Sequence, residues 1–319
     1  MTMTKWLRNI LAAAIIVALF WYLLKHRHEL EQALSNLTIL QLAALYPLVL
    51  AQVLCSAAVV RTLLAALKTK TTLLDMFLLH NATVLLNYLP MKFGTVFRAA
   101  YLKRHHGLSY ARFGTFFVHL MLLMTAVAAA VGLVALVAAY GIAGWERKIL
   151  TLLFLVSLLG SLCMIFTPLP IPKGPGRLSC VVRSFLTGRT DVVRSRAALA
   201  AGAVLLTANY AMTSVRLWII YAGMGEQIHP AGYLVLGAIG FAVMFVSFTP
   251  GALGIREAVL GAAATVLGVP LEVGILAAVI DRAVVFSFAF TVGGICALYL
   301  WRKSPGDFRK SEMDIPQDD

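Results

Sequence analysis

Charge is what this chain has least of. Of 319 residues only 13% are charged, with 14 Asp and Glu against 27 Lys and Arg, while 61% are hydrophobic. A soluble domain carries about a quarter charged residues, so this composition excludes one and belongs in a bilayer. The alternation over about 10 residues that marks a strand of a membrane barrel is missing. Several runs instead exceed the roughly 20 apolar residues that span a hydrocarbon core. Cysteine is scarce too: Cys55, Cys163, Cys180 and Cys296 are scattered without CxxC or ligand spacing, so neither a disulfide framework nor a metal site is expected. There is no G-x-S-x-G, no Walker motif and no HExxH. These absences predict a protein that is not an enzyme, is not driven by ATP and needs no cofactor.

What is present is basic. The formal charge of +13 would suggest nucleic acid in a soluble protein. Here Lys and Arg fall in short loops between apolar runs, where they set topology and meet anionic lipid head groups; no nucleic-acid partner is expected. Spans are predicted near 6–24, 41–60, 113–139, 149–167, 197–222 and 273–300, and two more apolar segments, 73–102 and 231–267, are each interrupted by a proline. Lys5 and Arg8 place the N-terminus in the cytoplasm. The chain is inside again at Arg61 and, after the first broken segment, at Lys103, Arg104 and Arg112. A segment that starts and ends on one side must enter and return, so 73–102 is expected to be a re-entrant helical hairpin.

The stretch 168–196 holds Lys173, Arg177, Arg183, Arg189, Arg194 and Arg196 against Asp191 alone, and reads as a basic cytoplasmic linker. The last span ends at Arg302 and Lys303, also inside, which makes 231–267 a second hairpin, entering from outside. The expected fold is therefore all-α: about six transmembrane helices plus two opposed re-entrant hairpins. It forms a single membrane domain, 1–319, with a first span in 1–30, repeat one at 41–139 and an extra span at 149–167. The linker 168–196, repeat two at 197–300 and a cytoplasmic tail at 301–319 complete it.

The two broken segments resemble one another. NYLPMKFGTVFR (87–98) and SFTPGALGIREA (247–258) share the spacing of Pro90 and Gly94 with Pro250 and Gly254, and Gly251 follows the second proline. Each is preceded by a span carrying Val-Arg near its end, Arg61 in one and Arg216 in the other. Entering from opposite sides, the two form an inverted repeat. Inverted repeats with broken helices point to transport, with a site near the bilayer midplane, because irregular backbone is tolerated in hydrocarbon only where protein or a polar cavity surrounds it.

The candidate binding residues follow from this. Arg256 lies within about two turns of Pro250; Arg98 and Lys92 are placed similarly after Pro90. Asp281 and Arg282 sit well inside the last span, where charge is costly unless paired or solvated. With Glu257 and Arg256 they can form ion pairs between hairpin and last span, either as a lock or as an anion site. Arg suits phosphate because its planar fork engages two oxygens at once. Secondary candidates are Arg61 and Arg216, which can snorkel from span ends, Asn87 on the first hairpin, and His119, a lone histidine more readily explained by packing.

At LPMKFGTVFR and TPGALGIREAVL…GVP…DRAV the chain resembles the lysylphosphatidylglycerol synthase transmembrane-region family, which includes the membrane half of the multiple peptide resistance factor. The resemblance runs from the span before Arg61 to Leu300. Where that family usually carries acidic residues, this chain has Thr95 and, in the next span, His119. The resemblance thus places the carboxylates of the site in the second repeat, and implies translocation of an anionic lipid or lipid-linked precursor between leaflets. In the two-part synthases aminoacyl transfer belongs to a soluble domain, so synthase activity is not expected of the sequence ending in WRKSPGDFRKSEMDIPQDD. The expected setting is a bacterial or archaeal cytoplasmic membrane with both termini inside. The expected partner is a lipid with an anionic head group, with a homo-oligomer or a lipid-modifying enzyme left open as protein partners. A secondary transporter of a small anionic solute, or a non-transporting subunit of a lipid-modifying enzyme, are the alternative functions.

Overall fold

The computed structural model describes residues 37–88, 93–167, 176–246 and 252–303. The expected first span, the tail from 304 and the site residues Pro90, Lys92, Pro250 and Gly251 lie outside the described residues. Among the described residues the chain forms ten helices and no strand. Five are long and apolar enough to cross a membrane: α1 (Ile39–Ala66), α4 (Tyr110–Tyr140), α5 (Trp145–Phe166), α7 (Arg196–Gly223) and α10 (Leu271–Lys303). They match the expected spans and outrun most of them at one end or both. Thr38 and Gln41 form a reciprocal capping box on α1, and Ser109 accepts the Arg112 N–H at the start of α4.

Four helices are too short to cross. These are α2 (Leu73–Leu86), α3 (Phe93–His106), α8 (Pro230–Val246) and α9 (Ile255–Val266), with 14, 14, 17 and 12 residues. At about 1.5 Å per residue they reach roughly 18–26 Å, short of a hydrocarbon core of about 30 Å. They occur as two consecutive pairs, α2 packed on α3 and α8 packed on α9, where the sequence places its hairpins.

Most of the linker stretch 168–196 is a helix, α6 (Arg177–Arg194). Its buried Leu186, Arg189 and Val192 recur every three residues on one face, and the helix packs on α4. Thr115 of α4 donates to the Phe185 carbonyl at 2.8 Å, and Arg112 pairs with Asp191 at 3.4 Å. Arg189 is the unexpected member. Its guanidinium donates to the carbonyls of Met164 and Ile165 at 3.1 Å each, and to that of Thr167. Those are the orphan acceptors at the C-terminus of α5, a position that favours a cation.

The central contact is α1 against α7. Around it the pairings correspond across the two stretches singled out as repeats. Helix α1 packs on α2 as α7 packs on α8, and α4 touches α7 as α10 touches α1. The hairpin arms exchange partners: α2 lies on α10 and α8 lies on α4. Helix α5 sits at the edge on α4, with Leu152, Leu153, Val156 and Leu159 turned outward, the inversion of a soluble surface that lipid tolerates.

Candidate functional site

Two adjacent charges on α9 face two adjacent charges on α10. Arg256 donates from Nη2 to Asp281 Oδ2 at 3.0 Å, and Arg282 donates from Nη1 to Glu257 Oε1 at 2.5 Å. The pairs run crosswise, so each helix contributes one cation and one anion. A third arginine completes the cluster from α7: Arg216 donates from Nε to Asp281 Oδ1 at 2.9 Å. Asp281 thus has a guanidinium on each oxygen, and both it and Glu257 are sealed from solvent. Three guanidinium groups meet two carboxylates, leaving one positive charge in excess. The arginines at the rim keep some exposure, 14% for Arg256 and 11% for Arg282, while the carboxylates have none. The arrangement is a buried anionic layer beneath a cationic rim.

The break before α9 builds this geometry. Gly254 has φ +83, a region closed to most side chains, and it turns the chain into the first helical residue. The Glu257 carboxylate then reaches back to accept the Gly254 N–H at 2.7 Å, the N3-to-N-cap half of a capping box. Glu257, which the sequence leaves with two readings, is therefore a structural hinge pin: one oxygen closes the helix start and the other holds Arg282. Arg282 also donates to the carbonyl of Ala252 at 3.4 Å, and Ala252 is a non-glycine held at φ +65.

The cluster continues into the centre of the molecule. Arg216 donates from Nη1 to Gln52 Oε1 on α1. Gln52 passes hydrogen bonds to Asn209 Oδ1 and Thr213 Oγ1, 3.1 Å each, and Asn209 returns them to the Gln52 carbonyl at 3.1 Å and to Ser56 Oγ at 2.7 Å. Arg216 does not snorkel: it is buried and is the hub between α9–α10 and the α1–α7 contact. Gln52, Asn209 and Thr213 were not among the sequence candidates. Their signal was polarity in the middle of otherwise apolar spans, where such groups serve as interhelical glue.

The first hairpin reaches the same place from the other side. Tyr88, just after α2, packs edge-on against Phe286 of α10 with ring centroids 5.0 Å apart, and lies within electrostatic range of Arg256, Glu257, Asp281 and Arg282. The chain matches the profile of the Lysylphosphatidylglycerol synthase TM region family over residues 9–293.

The chain belongs to that family.

No curated protein and no solved structure matches it. Family membership together with the five apolar helices makes it an integral membrane protein with a membrane lipid-related role.

The remaining candidates of this family member are dispersed. Arg98 stays within the first hairpin, bonded to Thr83 and His80, and among the described residues it shares no ion pair with the cluster. Gly94 is pressed against α2: a Cβ there would lie 2.1 Å from the Thr83 carbonyl oxygen and 2.7 Å from Asn87 Oδ1. Asn87 is the C-cap residue of α2, and its Oδ1 is buried without a hydrogen-bond partner among the described residues. Arg61, the counterpart of Arg216, is exposed and lines an open groove of about 490 Å³ with Leu73 and Ser195. His119 is buried and bonds the Thr115 carbonyl of its own helix at 2.8 Å, as a packed histidine does.

Proposed function

We propose that this chain translocates an anionic lipid, a phospholipid or a polyprenyl-phosphate-linked lipid, between the leaflets of a bacterial or archaeal cytoplasmic membrane without ATP and without acting as an enzyme. The two halves are opposed in the membrane, both termini are cytoplasmic, and the head group moves through polar space between the hairpins while the acyl chains stay in lipid. The observation that carries this reading is the cationic rim of Arg256 and Arg282 over buried carboxylates, set where α9 begins and the bend of the first hairpin rests on α10. An excess positive charge at broken helices attracts phosphate and is already held in place. The paired packing of α2 on α10 and α8 on α4 supports a repeat whose halves can rock against each other.

The completeness of the crosswise pairs favours a second reading for these four side chains, a lock between hairpin and last span. The experiment that separates the two is leaflet exchange of fluorescent phosphatidylglycerol in proteoliposomes. Arg256→Ala is expected to slow exchange at least about tenfold while the protein still elutes as a folded species. Unchanged exchange would leave the arginines as a lock only.

A further inference from the structure

The arginines of the second repeat all have carboxylates; the buried arginine of the first repeat has none among the described residues. Arg98 is 7% exposed and lies on a hairpin too short to cross the membrane. Its partners are neutral. Nε donates to Thr83 Oγ1 at 3.2 Å, and Nη2 donates to His80 Nδ1 at 3.3 Å. Nη1 carries no hydrogen bond among the described residues. An arginine buried at membrane depth without an anion is costly, and the half-charge at the C-terminal end of α2 does not balance a full cation.

The partners also fix which donors remain. Guanidinium nitrogen only donates, so His80 Nδ1 must accept, and the ring proton sits on Nε2. Thr83 accepts from Arg98 and donates its one O–H to the Leu79 carbonyl at 2.6 Å. Arg98 therefore keeps both N–H groups of Nη1 and the second N–H of Nη2 without a partner among the described residues, together with its positive charge. The Nη1 and Nη2 edges form a fork for two oxygens of one anion, held in orientation by Thr83 and His80. In the second repeat, by contrast, each of these arginines meets a carboxylate: Arg216 and Arg256 share Asp281, and Arg282 holds Glu257.

We infer that Arg98, oriented by Thr83 and His80, is a phosphate-binding subsite inside the first hairpin that receives the phosphate of a lipid head group. This rests on the translocation reading for its biological use, and it adds a phosphate contact in the first hairpin to the Arg256 and Arg282 rim of the second.

The test is equilibrium binding to the purified full-length protein in a neutral detergent, with three probes: dioctanoyl phosphatidylglycerol, dioctanoylglycerol, which lacks the phosphate, and inorganic phosphate. Wild type is expected to bind phosphatidylglycerol at least about tenfold more tightly than dioctanoylglycerol. Arg98→Gln should remove that preference, and Arg98→Lys, which keeps the charge but loses the fork, should fall between. Arg194→Gln, on the exposed face of α6, controls for overall charge and should bind as wild type.

Wild-type affinity for phosphatidylglycerol in Arg98→Gln overturns the subsite. So does equal loss of phosphatidylglycerol and dioctanoylglycerol binding in Arg98→Lys, which carries the test if the Gln variant fails to fold. Inorganic phosphate displacing the lipid probe at equal concentration would make this a free-phosphate site and overturn the head-group assignment. Arg98-dependent binding in a protein that moves no lipid would instead sink the translocation reading and leave the subsite standing.

Discussion

Asp281 has one guanidinium on each oxygen and no exposure. Asp281→Asn would leave Arg216 and Arg256 facing each other without an anion, and should destabilise by about 3–5 kcal/mol, read as loss of the folded fraction in a denaturant titration in micelles. Glu257 and Arg282 should show coupling instead. Each single change to Gln strands a charge, while the double change strands none, so a double-mutant cycle is expected to return about 1–3 kcal/mol. A value near zero would mean that the 2.5 Å pair holds nothing together. At this scale the sequence was informative where charge is rare: Arg256, Glu257, Asp281 and Arg282 stand out because apolar spans contain so few ionisable residues. It was silent on the difference between Arg61 and Arg216. Both follow valine at matching positions, yet one is exposed and one is buried, because only Arg216 meets a carboxylate from another helix and an amide from α1.

The hairpins depend on their glycines in different ways, although Gly94 and Gly254 occupy equivalent places in the repeat. Gly94→Ala drives a methyl group into the Thr83 carbonyl and should cost about 1–3 kcal/mol by separating α3 from α2. Gly254→Ala meets a backbone obstacle, φ +83, and should cost about 1–2 kcal/mol while spoiling the contact of Glu257 with the start of α9. Thermal denaturation in detergent checks both; a neutral Gly94→Ala would contradict the close approach of the two arms. The pairs of short helices were legible because a proline splits each apolar segment and the flanking charges return to one side. Helix α6 was not, since its arginines read as a solvated loop when Arg189 in fact turns inward to the end of α5.

Across the whole molecule, both hairpins contact α10, which carries Asp281 and Arg282 on one stretch and the Phe286 contact with Tyr88 a turn later. If the halves rock to pass a head group, cysteines at Tyr88 and Phe286 joined by a short thiol-reactive linker should abolish leaflet exchange, and release of the linker should restore it. The scarcity of charge and the long apolar runs made the membrane class legible from the sequence, whereas the exchange of partners between α2–α10 and α8–α4 depends on packing that no local pattern encodes. The most direct measurement is the rate at which fluorescent phosphatidylglycerol changes leaflets in vesicles holding the purified wild-type protein, followed by chemical quenching of the outer leaflet without ATP. The account predicts exchange well above that of protein-free vesicles. Exchange no faster than in protein-free vesicles, with the protein folded and inserted, would contradict it.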